Sequence, residues 1–585
     1  MNELIILLLI IPLAGAFLSA LGKYIRRFPL AEISSLLAVV LCLGLLAFLY
    51  PAATRQAGPV RYELGGWPEP VGISIYLDGL AWISSLVGMI VALSALLFAV
   101  WEKRYRPGFY FFFLLLVFGM EGVILTGDLF NMFVFLEIMS IASYILIVDS
   151  GKRDSLVASF RYLMISSLGM AFFLLGIYIF YQAAGTLSLR SLAVAAREIA
   201  ARGAAAGNAG VGNTGISSRG LNLAIVCLVV GAGVKAAFIP FHTWLPSAHA
   251  TAPHPVSAIL SGVMIKVSFL VVWRLLRLFD AQELQSVLLW VGSATALYGV
   301  VGAISQTDSK RLLAYHSVSQ MGYIVASFGA GTSLALAASL YHLVNHSLFK
   351  SLLFLSIGTV ISATGERNIR RLGNLGGKML PVFLTFLVGA FSIAGLPPFN
   401  GYISKSLILD GLEGRPLAFG LIFLAGAGTV ASFLKLSGIF VGKKAFPPIG
   451  EPARELRPPI PPTLRPTLHP MVHAPLFLLS LLCLATGVFP GFFQNAFYRL
   501  LWVGEGDPAQ APVPVGNQTA FYSPSHLLLF AATMAAGVLA YLLLVRTERG
   551  NRILERLRSV SPDLNAALVL VIAGFLVLVL LVWLL

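Results

Sequence analysis

The feature that most constrains this chain is a succession of apolar runs, each long enough for a helix of about 20 residues to cross the hydrocarbon core of a bilayer. Roughly sixteen such runs are predicted, near Glu3–Leu21, Ala31–Tyr50, Ser74–Trp101, Phe109–Thr126, Leu129–Val148, Ser159–Tyr181, Leu221–Pro240, Val256–Leu278, Glu283–Ile304, Ser317–Gly331, Ser333–Ser362, Leu380–Gly411, Leu417–Val441, Pro475–Phe493, His526–Val545 and Leu564–Leu585. In lipid, every backbone N–H and C=O must be paired within the chain, so the expected fold class is an all-α polytopic membrane protein of about 14–16 transmembrane helices. Composition agrees: 58% of residues are hydrophobic and 11% charged, against about 25% charged in soluble domains.

The formal net charge of +15 does not indicate nucleic acid, because the basic residues lie in short loops between apolar runs, as cytoplasmic positive bias places them. With the N-terminus outside, the inward loops carry about 24 basic residues against about 10 outward. Both termini are therefore expected to face out of the cell membrane. Cys42, Cys227 and Cys483 are far apart and form no CxxC or Cys/His cluster, so neither a metal nor another cofactor, nor a disulfide framework, is expected. The start, Met-Asn-Glu, lacks a basic leader region and reads as the first span.

Several segments between spans have their own character. Leu187–Gly220 reads as an interfacial helix followed by the Gly/Asn/Ser-rich loop Gly207–Gly220, and Arg546–Arg558 as a short amphipathic helix on the inner face. Pro447–Pro475 reads as an extended proline-rich connector, and Gly504–Ser525 as an outer polar loop. Two spans are interrupted by proline, at Pro240 and Pro246 and again at Pro397 and Pro398. Interrupted backbone at membrane depth is tolerated where it lines a cavity, so paired broken helices point to an ion path.

Ionisable residues inside the spans are the functional candidates, because each costs about 3 kcal/mol on insertion scales and so faces a partner or a water-filled route. Glu137 is flanked by Phe135, Leu136, Ile138 and Met139. Lys235 lies about one turn before Pro240, where carbonyls freed by the missing N–H are available to an ammonium. Lys266 sits near the centre of its run. Burial favours a neutral amine and a nearby carboxylate favours the ammonium, so a Glu–Lys–Lys set can exchange a proton at modest cost. The bland alternative for each is a static ion pair. His342, His346 and Lys350 fall at i, i+4 and i+8 on one helix face, about 12 Å from end to end, and histidine exchanges its proton near neutral pH. A metal site at this stripe is disfavoured by Lys350 and the lack of a carboxylate ligand. Lys405 follows the Gly395-Leu-Pro-Pro-Phe-Asn-Gly401 break. Glu121 and Lys435 are also intramembrane, with functional and structural roles evenly balanced. Asp78, Asp128, His242, His249 and His254 fall at span ends or loops, Asp308, Lys310 and Arg311 open a helix as solvated residues, and His316 is a candidate proton entrance or an interfacial histidine.

Read as strings, these residues are Tyr76-Leu-Asp-Gly-Leu80, Gly127-Asp-Leu-Phe-Asn-Met-Phe-Val-Phe-Leu-Glu137, Lys235-Ala-Ala-Phe-Ile-Pro-Phe-His-Thr-Trp-Leu-Pro246, Asp308-Ser-Lys-Arg311, His342-Leu-Val-Asn-His346-Ser-Leu-Phe-Lys350 and Gly395 to Lys405. From Asp78 to Lys405 the chain resembles the antiporter-like membrane subunits shared by respiratory complex I, membrane-bound hydrogenases and Mrp-type cation/proton antiporters, and looks most similar to the D-type subunit of the Mrp branch. The resemblance implies two inverted five-helix repeats with broken helices in spans 7 and 12. The expected organisation is 1–108 as N-terminal helices, 109–278 and 283–441 as the repeats, and 442–585 as C-terminal helices with the connector. It further implies a proton pathway through Glu137, Lys235, Lys266, His342, His346, Lys350 and Lys405, other membrane subunits as partners, and exchange of protons for sodium. The alternative is a proton-pumping subunit of a redox-driven complex whose redox centres lie in other chains. A quinone- or cofactor-binding redox subunit predicts ligand clusters that this sequence lacks. A stand-alone transporter predicts activity from this polypeptide alone, and a scaffold predicts that Lys266 is dispensable.

Overall fold

The computed structural model describes residues 2–25, 29–54, 58–205, 218–442, 470–502, 521–559 and 562–584. Its helices are α1 (Leu7–Leu21), α2 (Leu30–Ala53), α3 (Gly79–Glu102), α4 (Pro107–Leu125), α5 (Leu129–Val148), α6 (Arg153–Ala184), α7 (Leu189–Ala205), α8 (Ser218–Ala236), α9 (Leu245–Thr251), α10 (His254–Ile259) and α11 (Ile265–Leu278). They continue with α12 (Gln282–Ser305), α13 (Ser309–Gly329), α14 (Ser333–Thr364), α15 (Leu380–Ala394), α16 (Asn400–Gly411), α17 (Pro416–Val441), α18 (Pro470–Val488), α19 (Pro490–Trp502), α20 (Pro524–Ala540), α21 (Glu548–Ser559) and α22 (Leu564–Leu584). Among the described residues, thirteen helical stretches are long and apolar enough to cross a membrane, and fourteen if the pair Val472–Val488 and Pro490–Phe497, bent by 89°, counts as one more. Each of the sixteen expected runs has a helical counterpart. α13 is too rich in Ser, Gln and His to pass that hydropathy test, and α15 is too short.

Three boundaries differ from expectation for local reasons. Ser74–Leu77 is not the start of a span: it forms strand β2, paired antiparallel with β1 (Val60–Glu63), and α3 begins only where the Asp78 carboxylate accepts from the Ala81 N–H at 2.6 Å. α13 begins eight residues before the expected Ser317, because Asp308 caps it by accepting from the Arg311 N–H at 2.9 Å. Pro470–Pro475, read as connector, belongs to α18; the rest of the proline-rich stretch from 443 to 469 lies outside the described residues, as do most of the Gly/Asn/Ser-rich loop (206–217) and of the outer polar loop (503–520). The segments read as an interfacial and an amphipathic helix are helical, as α7 and α21.

The helices that carry the buried charges are bracketed by two matching devices. Asp128 caps α5 and bridges to Ser188 beyond α6, and Asp308 caps α13 and bridges to Asn368 beyond α14; each bridge spans the same sixty residues, 128 to 188 and 308 to 368. Both proline-interrupted spans are broken, α8 from α9 by residues 237–244 and α15 from α16 by 395–399.

Between the two broken spans lies a helix pair in direct backbone contact. α12 and α13 face each other through glycines placed reciprocally: a Cβ at Gly292 would lie 2.2 Å from the Ala326 nitrogen, at Gly322 2.2 Å from the Ala296 nitrogen, at Gly299 2.4 Å from the Ser319 nitrogen, and at Gly329 2.2 Å from the Leu289 nitrogen. Small residues let helix backbones touch where lipid supplies no hydrophobic drive. Gly322→Val is expected to cost about 1–3 kcal/mol by overpacking. The loss should appear as a lower midpoint of thermal unfolding of the detergent-solubilised protein, while Gly420→Val, at a position where an added Cβ meets nothing within 4 Å, should leave the midpoint within error.

Candidate functional site

Lys235 ends α8, fully buried, and its ammonium turns away from the carbonyls of its own helix break toward α5 and α6. It donates to Glu137 Oε1 at 3.1 Å, to the Leu136 carbonyl at 3.4 Å, to Ser166 Oγ at 2.9 Å and to Ser140 Oγ. A carbonyl at the break, that of Val234, is instead taken by Trp244 Nε1 at 2.8 Å, and the indole lies flat on Tyr162 with ring centroids 3.7 Å apart. Glu137, expected deep among apolar neighbours, has a side chain 30% exposed on the outer wall of the bundle. The reason is registry: it is its helix neighbours Leu136 and Met139 that face the core. The Glu137 carboxylate, bonded to the buried ammonium of Lys235, thus stays open to the outside of this chain.

Beyond Lys235 the seam is one of hydroxyls. Ser140, Ser143, Ser166 and the rings of Tyr144 and Tyr162 are all buried, and Tyr162 Oη reaches Met264 Sδ at 3.8 Å. No direct bond joins Lys235 to Lys266 among the described residues. Met264 closes a π-helical turn, Leu260–Met264, which no sequence signal indicates. The wide turn sits just before Lys266, whose fully buried ammonium donates to the Ser261 carbonyl inside it. π-turns concentrate at functional sites. Ser261 Oγ is 2.6 Å from Ser317 Oγ, Ser317 donates to the Leu313 carbonyl at 3.2 Å, and Lys350 donates to that same carbonyl.

The stripe on α14 is entirely buried, and the packing of α13 and α16 against it decides what each group meets. His342 places Nε2 3.0 Å from Gln320 Oε1, an acceptor to which the ring donates, and Nδ1 2.9 Å from Ser404 Oγ, whose hydroxyl also lies 3.2 Å from the Asn400 carbonyl. His346 stacks over His342 with centroids 6.2 Å apart, and neither of its ring nitrogens makes a hydrogen bond within the described residues. It lies within Coulombic reach of Lys266 and Lys350. Lys405, in α16, donates to the Ile393 carbonyl at 2.6 Å, a group left over at the end of α15, and its ammonium stands 5.1 Å over the Tyr323 ring. Thus Lys266, Lys350, His346, His342 and Lys405 are brought together, and Glu137 with Lys235 forms the other end.

Residues assigned to loops prove to be part of this interior. Lys310, expected to be solvated, is buried and donates to the Ala252 carbonyl at 2.5 Å. Its neighbour Asp308 instead pairs with Arg367 at 2.7 Å. His242, His249 and His254, expected at span ends needing no special account, are all buried, because the broken span folds α9 and α10 inward. His249 is fully buried, lies within Coulombic reach of Lys310, Lys350 and Lys266, and makes no hydrogen bond through either ring nitrogen among the described residues. A cavity of about 390 Å³ opens beside it, lined by Arg104, Lys152, His254, Lys310, Arg367 and Asp149 among others. Burial holds the Asp149 carboxyl at its mouth above the usual carboxylate range, against the pull of Arg106 and Arg104. His316 is fully buried rather than interfacial and sits 2.5 Å from Ser432 Oγ.

Two intramembrane charges fall outside the line. Glu121 is buried and accepts from Ser85 Oγ at 2.6 Å, with no cation paired to it among the described residues. Lys435 donates at 2.7 Å to both Ile304 and Gln306 carbonyls, closing the C-terminal end of α12. That geometry makes Lys435 a structural clamp. Lys435→Met is expected to lower thermal stability by roughly 1–3 kcal/mol, the cost of orphaned buried carbonyls, while ion transport by whatever fraction remains folded stays close to wild type.

The fold and this line of groups define a polytopic helical membrane protein with an internal chain of buried lysines and histidines. Residues 126–435 match the family described as "NADH:quinone oxidoreductase/Mrp antiporter, TM". The chain belongs to that family. It is 33% identical over 445 residues to the D-type subunit of the Na(+)/H(+) antiporter of Alkalihalophilus pseudofirmus, covering 74% of this chain and 86% of the relative. It is 36% identical over 439 residues to the N-type subunit of the NADH-quinone oxidoreductase of Desulforudis audaxviator, covering 72% and 83%. Among solved structures it superposes on a chain of the Mrp complex from Dietzia sp. with a TM-score of 0.75 at 25% identity, covering 87% of this chain and 99% of that one. A chain of the archaeal membrane-bound sulfane sulfur reductase shares the fold, with a TM-score of 0.74 at 24% identity over 88% of this chain and 100% of that one.

Proposed function

We propose that this chain is the proton-translocating, antiporter-type subunit of a multisubunit complex in the cell membrane, exchanging protons for sodium as the name of its Na(+)/H(+) antiporter relative states. The observation that carries this reading is the supply of counter-charge. Lys235, Lys266, Lys350 and Lys405 are buried in one polar seam, and among the described residues a single carboxylate, Glu137, is bonded to any of them. With one counter-ion for four amines, moving that carboxylate changes which amine can hold its proton.

In this scheme opening of the Glu137–Lys235 pair frees a proton toward the hydroxyl cluster, Lys266 passes it through Ser261 and Ser317 to the Lys350–His346–His342 stripe, and Lys405 is the far terminus. The cavity lined by His254, Lys310 and Arg367 is the mouth from the basic face. The carboxylate's exposure on the outer wall supports a neighbouring membrane subunit against α5, since lipid offers it nothing. Helices 109–278 and 283–441 form two repeats of inverted orientation, a reading that the paired aspartate bridges and the two broken spans support. Loop charge supports both termini on the outer side. A redox-driven complex is the second reading, favoured by the NADH-quinone oxidoreductase relative.

The test is transport by the whole purified complex in proteoliposomes. Lys266→Ala is expected to reduce sodium-driven proton movement to the level of empty liposomes while the subunits still co-purify, and Glu137→Gln to reduce it severalfold. Transport by Lys266→Ala at the wild-type rate would refute the pathway. Sodium-independent transport by the wild-type complex, together with co-purifying redox subunits, would replace exchange by the redox-driven reading.

A further inference from the structure

α21 connects two peripheral spans that pack on different helices of the bundle. α20 packs on α17, and α22 packs on α6 and α8, where Phe575 stacks on Phe172 with centroids 4.3 Å apart. The strap between them has two distinct faces. Inward go Gly550, Asn551, Leu554 and Arg558: Leu554 packs with Ile304 and Ala431, Arg370 donates to Asn551 Oδ1 at 3.2 Å, and Arg558 Nη1 donates to Thr307 Oγ1 at 3.0 Å. Outward go Arg549, Arg552, Ile553, Arg556 and Leu557, all exposed, with Ile553 at 51% and Leu557 at 45%. Their positions, i, i+3, i+4, i+7 and i+8, make one continuous stripe. Of the two carboxylates on the helix, Glu555 is engaged by Arg370 at 3.5 Å and Arg558 at 3.7 Å, and Glu548 is the acidic residue of the first turn.

We propose that this outward stripe binds the headgroups of anionic phospholipids in the leaflet on the basic side of the protein. The chemistry is specific to that occupant. Three guanidinium groups match phosphate oxygens with paired donors, and two aliphatic side chains between them enter the boundary between headgroups and acyl chains, as interfacial helices do. The placement agrees: α21 joins two helices whose outer faces are open along nearly their whole length, 6% and 17% buried, so its ends are held at the rim of the hydrocarbon layer. An arginine cluster on an amphipathic helix beside a membrane span is the expected signature of anionic-lipid recognition. The consequence reaches the site. The same helix pins Arg370 and Thr307 next to the Asp308 cap and the Lys435 clamp, so lipid bound outside tightens the strap across the inner ends of α12 and α13.

The whole complex, purified with its partner subunits and exchanged into phosphatidylcholine nanodiscs containing phosphatidylglycerol, provides the test. Lipid retained after extraction into detergent is counted by native mass spectrometry. The wild type should retain phosphatidylglycerol in preference to phosphatidylcholine, and R549Q/R552Q/R556Q should lose that preference by roughly a hundredfold. I553S/L557S should weaken retention of both lipids, and a photo-crosslinking residue in place of Ile553 should label lipid. An unchanged preference in the triple variant overturns the proposal, as does a crosslink from position 553 to a partner polypeptide. Should the triple variant fail to assemble, the wild-type preference is measured from low to high salt, and insensitivity to salt overturns it equally.

Discussion

An ammonium group deep in a helical bundle must find oxygen, and the architecture here is organised around that need. Backbone carbonyls in regular helices are already engaged, so the oxygen comes mainly from places where a helix is irregular. Lys266 uses a carbonyl inside a π turn, Lys405 one at the end of α15, Lys310 one just past the end of α9, and Lys435 two at the end of α12. Lys350 shares a carbonyl of α13 with Ser317, and Lys235 relies chiefly on side chains, two serines and a carboxylate. The broken helices are thus solvation devices as much as topological ones.

The two broken spans solve the same problem in different ways. At the first, an aromatic side chain, Trp244, caps the loose carbonyl and leaves the neighbouring lysine free to face a carboxylate across the bundle. At the second, the lysine itself takes the carbonyl, and among the described residues no carboxylate is bonded to it. One end of the line therefore holds a separable ion pair, and the other an ammonium fixed to backbone.

Much of this is legible in the residues, because a charge surrounded by apolar neighbours has few explanations. Glu137, Lys235, Lys266 and Lys405 stand out by depth, and His342, His346 and Lys350 by helical spacing. What escapes the sequence depends on tertiary packing. His249 and Lys310 lie near loops in sequence, and become interior only because α9 and α10 turn inward at the break. The π turn before Lys266 has no composition that distinguishes it from α-helix. The exposure of Glu137 follows from how α5 is rotated, which flanking apolar residues on every side do not reveal. Lys435 resembles the lysines of the polar seam until the end of α12 is seen beneath it.

The reciprocal glycines of α12 and α13 bear on how such a line could work. Where two backbones touch at four levels, neither helix can slide or rotate past the other without collision. α13 supplies Gln320, Ser317 and the Leu313 carbonyl to the polar seam, so those acceptors are mounted on what is in effect a fixed rail. On the proposed pathway, any rearrangement that switches proton traffic must then occur in parts facing the rail: the wide turn ahead of Lys266, the imidazoles of α14, or the wall helix that carries Glu137.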